Sequence, residues 1–167
     1  MHNKLLLLCL GSLITVSLIA VDAIAGNYGC PATGKVTQLV KSGHDGVDIA
    51  NKSMPMVGAA KAGVVCDIRD YGQKGYGKMV TLKHGDTKAK VIRYTRYAYL
   101  KRHSLRKNDQ LKVGNNVGQM GCTGHCVPKG AVHLHWEVRK TEWGTTYVID
   151  LPLNKDVNRG QSVSVRD

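Results

Sequence analysis

The run His133-Leu134-His135-Trp136-Glu137-Val138 decides how this chain is read. Strand side chains alternate, so a β-strand here puts His133 and His135 on one face and turns Leu134 into packing on the other. Imidazole is the commonest metal ligand and the side chain that exchanges protons nearest neutral pH. One face can therefore carry a metal ligand and an acid/base group side by side. Upstream, His44-Asp45-Gly46-Val47-Asp48 sets a second His/carboxylate pair just before another short apolar run. Gly46 permits a sharp turn there, so both side chains can converge on one ion. Two imidazoles and one carboxylate leave a fourth position open, as in catalytic zinc sites; a structural site is more often closed by four Cys or His ligands. Hydrogen-bonded core histidines beside a capping Asp are the competing reading.

Working outward, short apolar runs alternate with Gly-rich turns, and helical periodicity is scarce. That pattern is all-β. Strands are expected at Val47–Ala50, Gly63–Ile68, Lys78–His84, Val91–Tyr99, Val117–Met120 and Val132–Arg139, with a short one at Tyr147–Ile149. Turn signals separate them: Ser42-Gly43, the Tyr71 to Gly77 run, Gly85-Asp86 and Val113 to Asn116. Residues 101–107 read as a short helical turn or a loop. No internal repeat and no linker is visible, which gives a single compact domain over residues 26–153. The tail, 154–167, is polar and expected to be loose.

The first 25 residues have the pattern of a secretory signal. Lys4 supplies the positive start, an apolar run follows, and Ala23-Ile24-Ala25 is a small-x-small cleavage site. The strongly apolar part is short for a membrane anchor, so no span is expected after cleavage. Removing Cys9 with the signal leaves Cys30, Cys66, Cys122 and Cys126. In an oxidising compartment four cysteines suggest two disulfides with three connectivities, of which Cys122–Cys126 and Cys30–Cys66 is the expected one. Cys122 and Cys126 with His125 are an alternative metal set. The net charge of +12 attracts polyanions, such as cell-wall polymers, or serves solubility alone. Nucleic acid is not expected: the basic residues follow no nucleic-acid motif, and Phe is absent.

From about Gly34 to Pro152 the chain resembles the lysostaphin/LytM-type zinc metallopeptidases, which cut peptide cross-links of peptidoglycan. Gly43 to Ala50 looks like the family's first motif, and Val57 to Val65 like the segment after it. Gly75 to Lys78, Leu82 to Gly85, Leu111 to Gln119, Gly121 to Gly124 and His133 to Val138 follow in the family's order. The resemblance implies an antiparallel sheet folded into a groove. It implies Zn2+ held by His44, Asp48 and His135, with His133 as the acid/base beside them. It further implies a periplasmic or secreted location and peptidoglycan peptides or other anionic wall polymers as partners.

Two departures bear on activity. The family's second catalytic histidine stands in a Y-x-H-L segment; here Tyr97-Ala98-Tyr99-Leu100 puts Tyr99 in that place. A phenol can donate to a developing oxyanion but is a poor base near neutral pH. His103 is a nearby alternative. Second, the stretch from Gly124 to His133 is longer than usual and carries Cys126, so a Cys122–Cys126 bridge would stiffen a rim loop beside the groove. The remaining histidines, His84 and His125, read as a turn and a loop residue, and Tyr94, Tyr97 and Trp136 as core or groove wall. The leading expectation is an exported zinc endopeptidase of peptidoglycan. A zinc-binding but inactive module that binds wall or regulates another hydrolase is the runner-up, and a secreted signalling or toxin-like factor is a third reading.

Overall fold

The computed structural model describes residues 27–85 and 92–166. The expected signal, with Cys9, lies outside them, as do Asp86 and Val91. Described residues form only strands and turns. The first seven strands are β1 (Tyr28–Gly29), β2 (Gly34–Gln38), β3 (Val47–Ala50), β4 (Met56–Gly58), β5 (Gly63–Asp70), β6 (Lys78–His84) and β7 (Arg93–Ala98). The rest are β8 (Gln110–Leu111), β9 (Asn116–Gln119), β10 (His133–Arg139), β11 (Val148–Ile149), β12 (Asp156–Val157), β13 (Ser162–Val163) and β14 (Val165–Arg166). The expected strands form, shifted by a residue or two at some ends. Residues 101–107 are irregular, without a helical turn.

Eight strands make one antiparallel sheet in the order β12-β2-β3-β10-β7-β6-β5-β8. Its centre is β10, buried along its whole length. Leu134, Trp136 and Val138 point to one side, where Val36, Val47, Ile49, Val80, Leu82 and Tyr97 complete the core. The β4–β9 pair caps that core through Val57 and Val117. The opposite face of β10 carries His133, His135, Glu137 and Arg139, all buried. Period-two alternation thus divides one strand into an apolar side that stabilises the fold and a polar side available for chemistry.

Two expectations need correction. The tail is not loose: β12 extends the main sheet beside β2, β13 pairs with β1, and β14 pairs with β11. Val157, Val163 and Val165 are buried there, so the tail's few apolar side chains are enough to dock it. Secondly, Cys122 and Cys126 are bridged, but Cys30 and Cys66 are free thiols. Cys30 packs in the core and donates to the Ala32 carbonyl. Cys66 lines an open surface cleft with Lys83 and Lys107 and donates to the Thr81 carbonyl, so the two sulfurs do not meet. His84 ends the strand where the sequence places it, just before the Gly85 turn. It is buried at the end of β6, with Nδ1 2.7 Å from the Ala62 carbonyl and Nε2 2.7 Å from Thr95 Oγ1.

The His84 network continues inward. The Thr95 and Tyr97 hydroxyls are 3.0 Å apart, and Tyr97 accepts the Ala60 N–H at 2.8 Å. A neutral imidazole fits it, donating from Nδ1 and accepting at Nε2. Burial, the main cause, pushes the His84 pKa down to about 4. The unfolded chain therefore takes up a proton between about pH 6.5 and 4 that the folded chain refuses, so stability is full above that window and falls through it. The predicted loss is about 3 kcal/mol across the window. Denaturant unfolding of wild type and His84→Gln from pH 8 to 4 checks this: the variant should lose that part of the slope, and parallel curves would show that His84 does not supply it.

Candidate metal centre

The site is assembled by strand register. Asp48 of β3 is the cross-strand partner of His135 of β10, so both side chains rise from the same face at neighbouring positions. His135 Nδ1 lies 2.8 Å from Asp48 Oδ1. His44 arrives from the turn before β3, which is closed by mutual backbone hydrogen bonds between Lys41 and His44. Its Nδ1 is 3.0 Å from the Leu39 carbonyl and its Nε2 is 3.2 Å from Asp48 Oδ1. The ligand atoms of His44, Asp48 and His135 all lie within 4.8 Å of one another.

Gly46 matters for a different reason than its freedom to turn. A Cβ there would stand 2.7 Å from the Trp136 carbonyl and 2.8 Å from the His135 ring. The chain must pass that close for His44 and His135 to face each other, with ring centroids 4.9 Å apart.

The residues fit a divalent cation. His44 Nδ1–H donates to Leu39, which leaves the Nε2 lone pair aimed at a carboxylate. That buried nitrogen has no hydrogen-bond partner, an arrangement that is satisfied by a positive centre between the two. His135 lies between two carboxylates, Asp48 on Nδ1 and Glu137 Oε1 at 3.1 Å from Nε2. Burial lowers the His135 pKa, but the two carboxylates outweigh it and bring it up to about 9. Burial likewise opposes the charge on Asp48, yet the His135 hydrogen bond and the surrounding imidazoles hold its pKa below the ordinary value. The pocket therefore favours positive charge, and a nitrogen/oxygen donor set of this kind suits zinc.

Glu137 was not singled out from the sequence, although it stands two residues beyond His135 on the same face. It is fully buried beside Arg96, at 3.3 Å, and Arg139, which also contacts it. Burial raises its pKa, but the His135 hydrogen bond and the nearby positive charges bring it down to about 2. Carboxylate–imidazole contacts of this kind fix the tautomer of a metal-binding histidine and its ring orientation. Arg96 is itself clamped, its guanidinium 4.2 Å from the Trp143 ring centre and 4.9 Å from that of Tyr76.

His133 stands beside the cluster, outside the ligand set. Its Nδ1 is 2.6 Å from the Ala131 carbonyl and its Nε2 is 3.8 Å from Asp48 Oδ2. Tyr99 follows β7 in a left-handed conformation (φ 61°), fixed by its N–H donating to the Tyr76 carbonyl. This carries its ring to 4.9 Å from His133 and 5.7 Å from His135. Burial, and then the charges of Asp48 and Glu137, raise the Tyr99 pKa, so the phenol keeps its proton as a donor. Tyr76, Tyr99 and His125 line a cleft of about 380 Å³ next to the cluster. His103 lines a separate cleft with Met56 and Asn116.

Known proteins resemble this chain in sequence and in fold. Residues 42–148 match Peptidase family M23. The lipoprotein NlpD/LppB homolog of Pseudomonas aeruginosa is 32% identical over 125 residues, which cover 73% of this chain and 39% of that protein. Murein hydrolase activator NlpD of Salmonella dublin is 29% identical over 113 residues, 65% of this chain and 27% of that one. The chain thus spans well under half the length of these curated relatives. The catalytic domain of lysostaphin from Staphylococcus simulans has the same fold, with a TM-score of 0.51 and 24% identity over 69% of this chain and 83% of the domain. With more than half of its residues matched by the family, the chain belongs to Peptidase family M23 and has the lysostaphin-type all-β fold.

Proposed function

We propose that the protein is an exported zinc endopeptidase that hydrolyses peptide cross-links of peptidoglycan. The observation that carries this reading is the unpartnered His44 Nε2 turned toward Asp48, with His135 completing the set and His133 beside it. His44, Asp48 and His135 would hold the ion. When bound, zinc supplies Lewis-acid chemistry, polarising a carbonyl and acidifying water.

The chain's own residues account for the remaining work. His133 donates its Nδ1 proton to Ala131, which leaves Nε2 as a base toward the cluster. It takes a proton from the attacking water and returns it to the leaving amine. Tyr99 donates a hydrogen bond to the oxygen that becomes negative as the peptide carbonyl is attacked. The net charge of +12 draws the protein to anionic wall material after the signal at residues 1–25 has directed export.

A second reading, a zinc-holding module that binds wall or activates another hydrolase, draws on Tyr99 in the second histidine's place and on the relatives named murein hydrolase activators.

Release of new amines from purified sacculi tests the first reading. Wild type with zinc should release them, and a chelator should stop it. His133→Ala should slow it by about a hundredfold or more. Tyr99→Phe, lacking only the hydroxyl, should lower kcat roughly a hundredfold with little change in KM. Wild type that binds zinc and sacculi without releasing amines, but gains release on Tyr99→His, would establish the second reading instead. Gly46→Ala pushes a methyl group into the His135 ring, so its zinc affinity should fall about tenfold to a hundredfold by calorimetry. Unchanged affinity would show that the close approach at Gly46 does not hold the His135 ring in place.

A further inference from the structure

The segment 121–131 contributes no ligand, yet it surrounds His133 on three sides. The His133 N–H donates to the Gly121 carbonyl at 3.1 Å. Its Nδ1–H donates to the Ala131 carbonyl at 2.6 Å. Cys126 Sγ lies 3.9 Å from the same Nδ1 and 3.1 Å from the same carbonyl. Cys122, next to Gly121, is bridged to Cys126, with 5.4 Å between the Cα atoms. The bridge therefore ties the backbone anchor of His133 to the sulfur packed against its ring.

The two halves of this segment are held differently. The first is docked by its own hydrogen bonds. Thr123 Oγ1 donates to the Leu100 carbonyl at 2.9 Å, and the Gly124 and His125 N–H groups donate to Gly72 and Gly75 at 2.9 and 2.8 Å. The second half, residues 127–130, is exposed. Its connection to the docked half runs through Cys126, and it ends on Ala131, the acceptor that fixes the His133 tautomer.

We propose that the Cys122–Cys126 disulfide is the positioning device of His133, so that the acid/base histidine is set only in the oxidised protein. The proposal rests on the role given to His133 above. A dithiol reverses it: the dithiol's sulfurs join in a new disulfide, and its two electrons and two protons pass to Cys122 and Cys126, which become thiols. Ala131 and Cys126 are then free to leave the ring together, and Nδ1 loses its fixed acceptor. Cys30 and Cys66 are already thiols, so among the described residues this bridge is the one bond that such a reductant alters. A chain still in a reducing compartment would hold His133 unset, and oxidation after export would set it.

The test uses the 15N-labelled full-length protein before and after reduction with dithiothreitol, and a Cys122→Ser/Cys126→Ser variant. Long-range 1H–15N spectra report imidazole tautomers. Oxidised protein should show His133 as a single Nδ1–H tautomer; reduced protein and the variant should show it averaged, with His44 and His135 unchanged. Zinc affinity should change less than about threefold, while amine release falls about a hundredfold and returns on reoxidation. A His133 tautomer indifferent to reduction would overturn the proposal, as would release that is equally fast in both states. If oxidised wild type releases no amine, the spectra alone decide, and it is the peptidase reading that fails. If the variant does not unfold cooperatively, reversible reduction of wild type decides.

Discussion

The structure depends on how one buried imidazole is held between two carboxylates. His135 sits on the central strand of the main sheet, with Asp48 on one nitrogen and Glu137 on the other. Removing such charges from water costs several kcal/mol per ion unless partners replace the lost hydration. The chain meets that demand across three strands. Arg96 of β7 and Arg139 of β10 flank Glu137, Asp48 comes from β3, and Trp143 covers Arg96. Replacing one member would leave the others charged and unpaired in a dry place, so the cluster is best regarded as a unit.

The rest of the site follows from this arrangement. Antiparallel register fixes Asp48 opposite His135 and Ala98 on the other side. Tyr99 comes just after Ala98, and its left-handed backbone turns the ring back over the histidines. Gly46 lets the preceding turn pass close enough to present His44. His133 shares the face because it lies two residues from His135, but its environment differs. A carbonyl, rather than a carboxylate, takes its Nδ1 proton. Neighbouring histidines on one strand thus have different partners, and in the proposed function that difference separates ion binding from proton transfer.

Much of this was legible in the sequence where local pattern and packing agree. The alternation at His133 to Val138 and the short run after Asp48 gave both strands and the faces of their polar side chains. The ordered motifs of the family resemblance located Tyr99. Glu137 was equally visible as the next residue on the same face, but its importance depends on Arg96, which only strand pairing brings to it. The free state of Cys30 and Cys66 depends on where each one packs, Cys30 in the core and Cys66 in a surface cleft, which spacing does not encode. In the tail, Ser162-Val163-Ser164-Val165 alternates as a strand should, but its overall polarity concealed that signal.

We propose that His44, Asp48 and His135 form one cation site. Anomalous diffraction from crystals grown with zinc, collected on both sides of the zinc absorption edge, tests it most directly. A single strong peak is expected within bonding distance of His44 Nε2, Asp48 and His135 Nδ1, with His133 outside the coordination shell. A peak at Cys122, Cys126 and His125 instead, or none at the His44 cluster in zinc-saturated crystals, would contradict it.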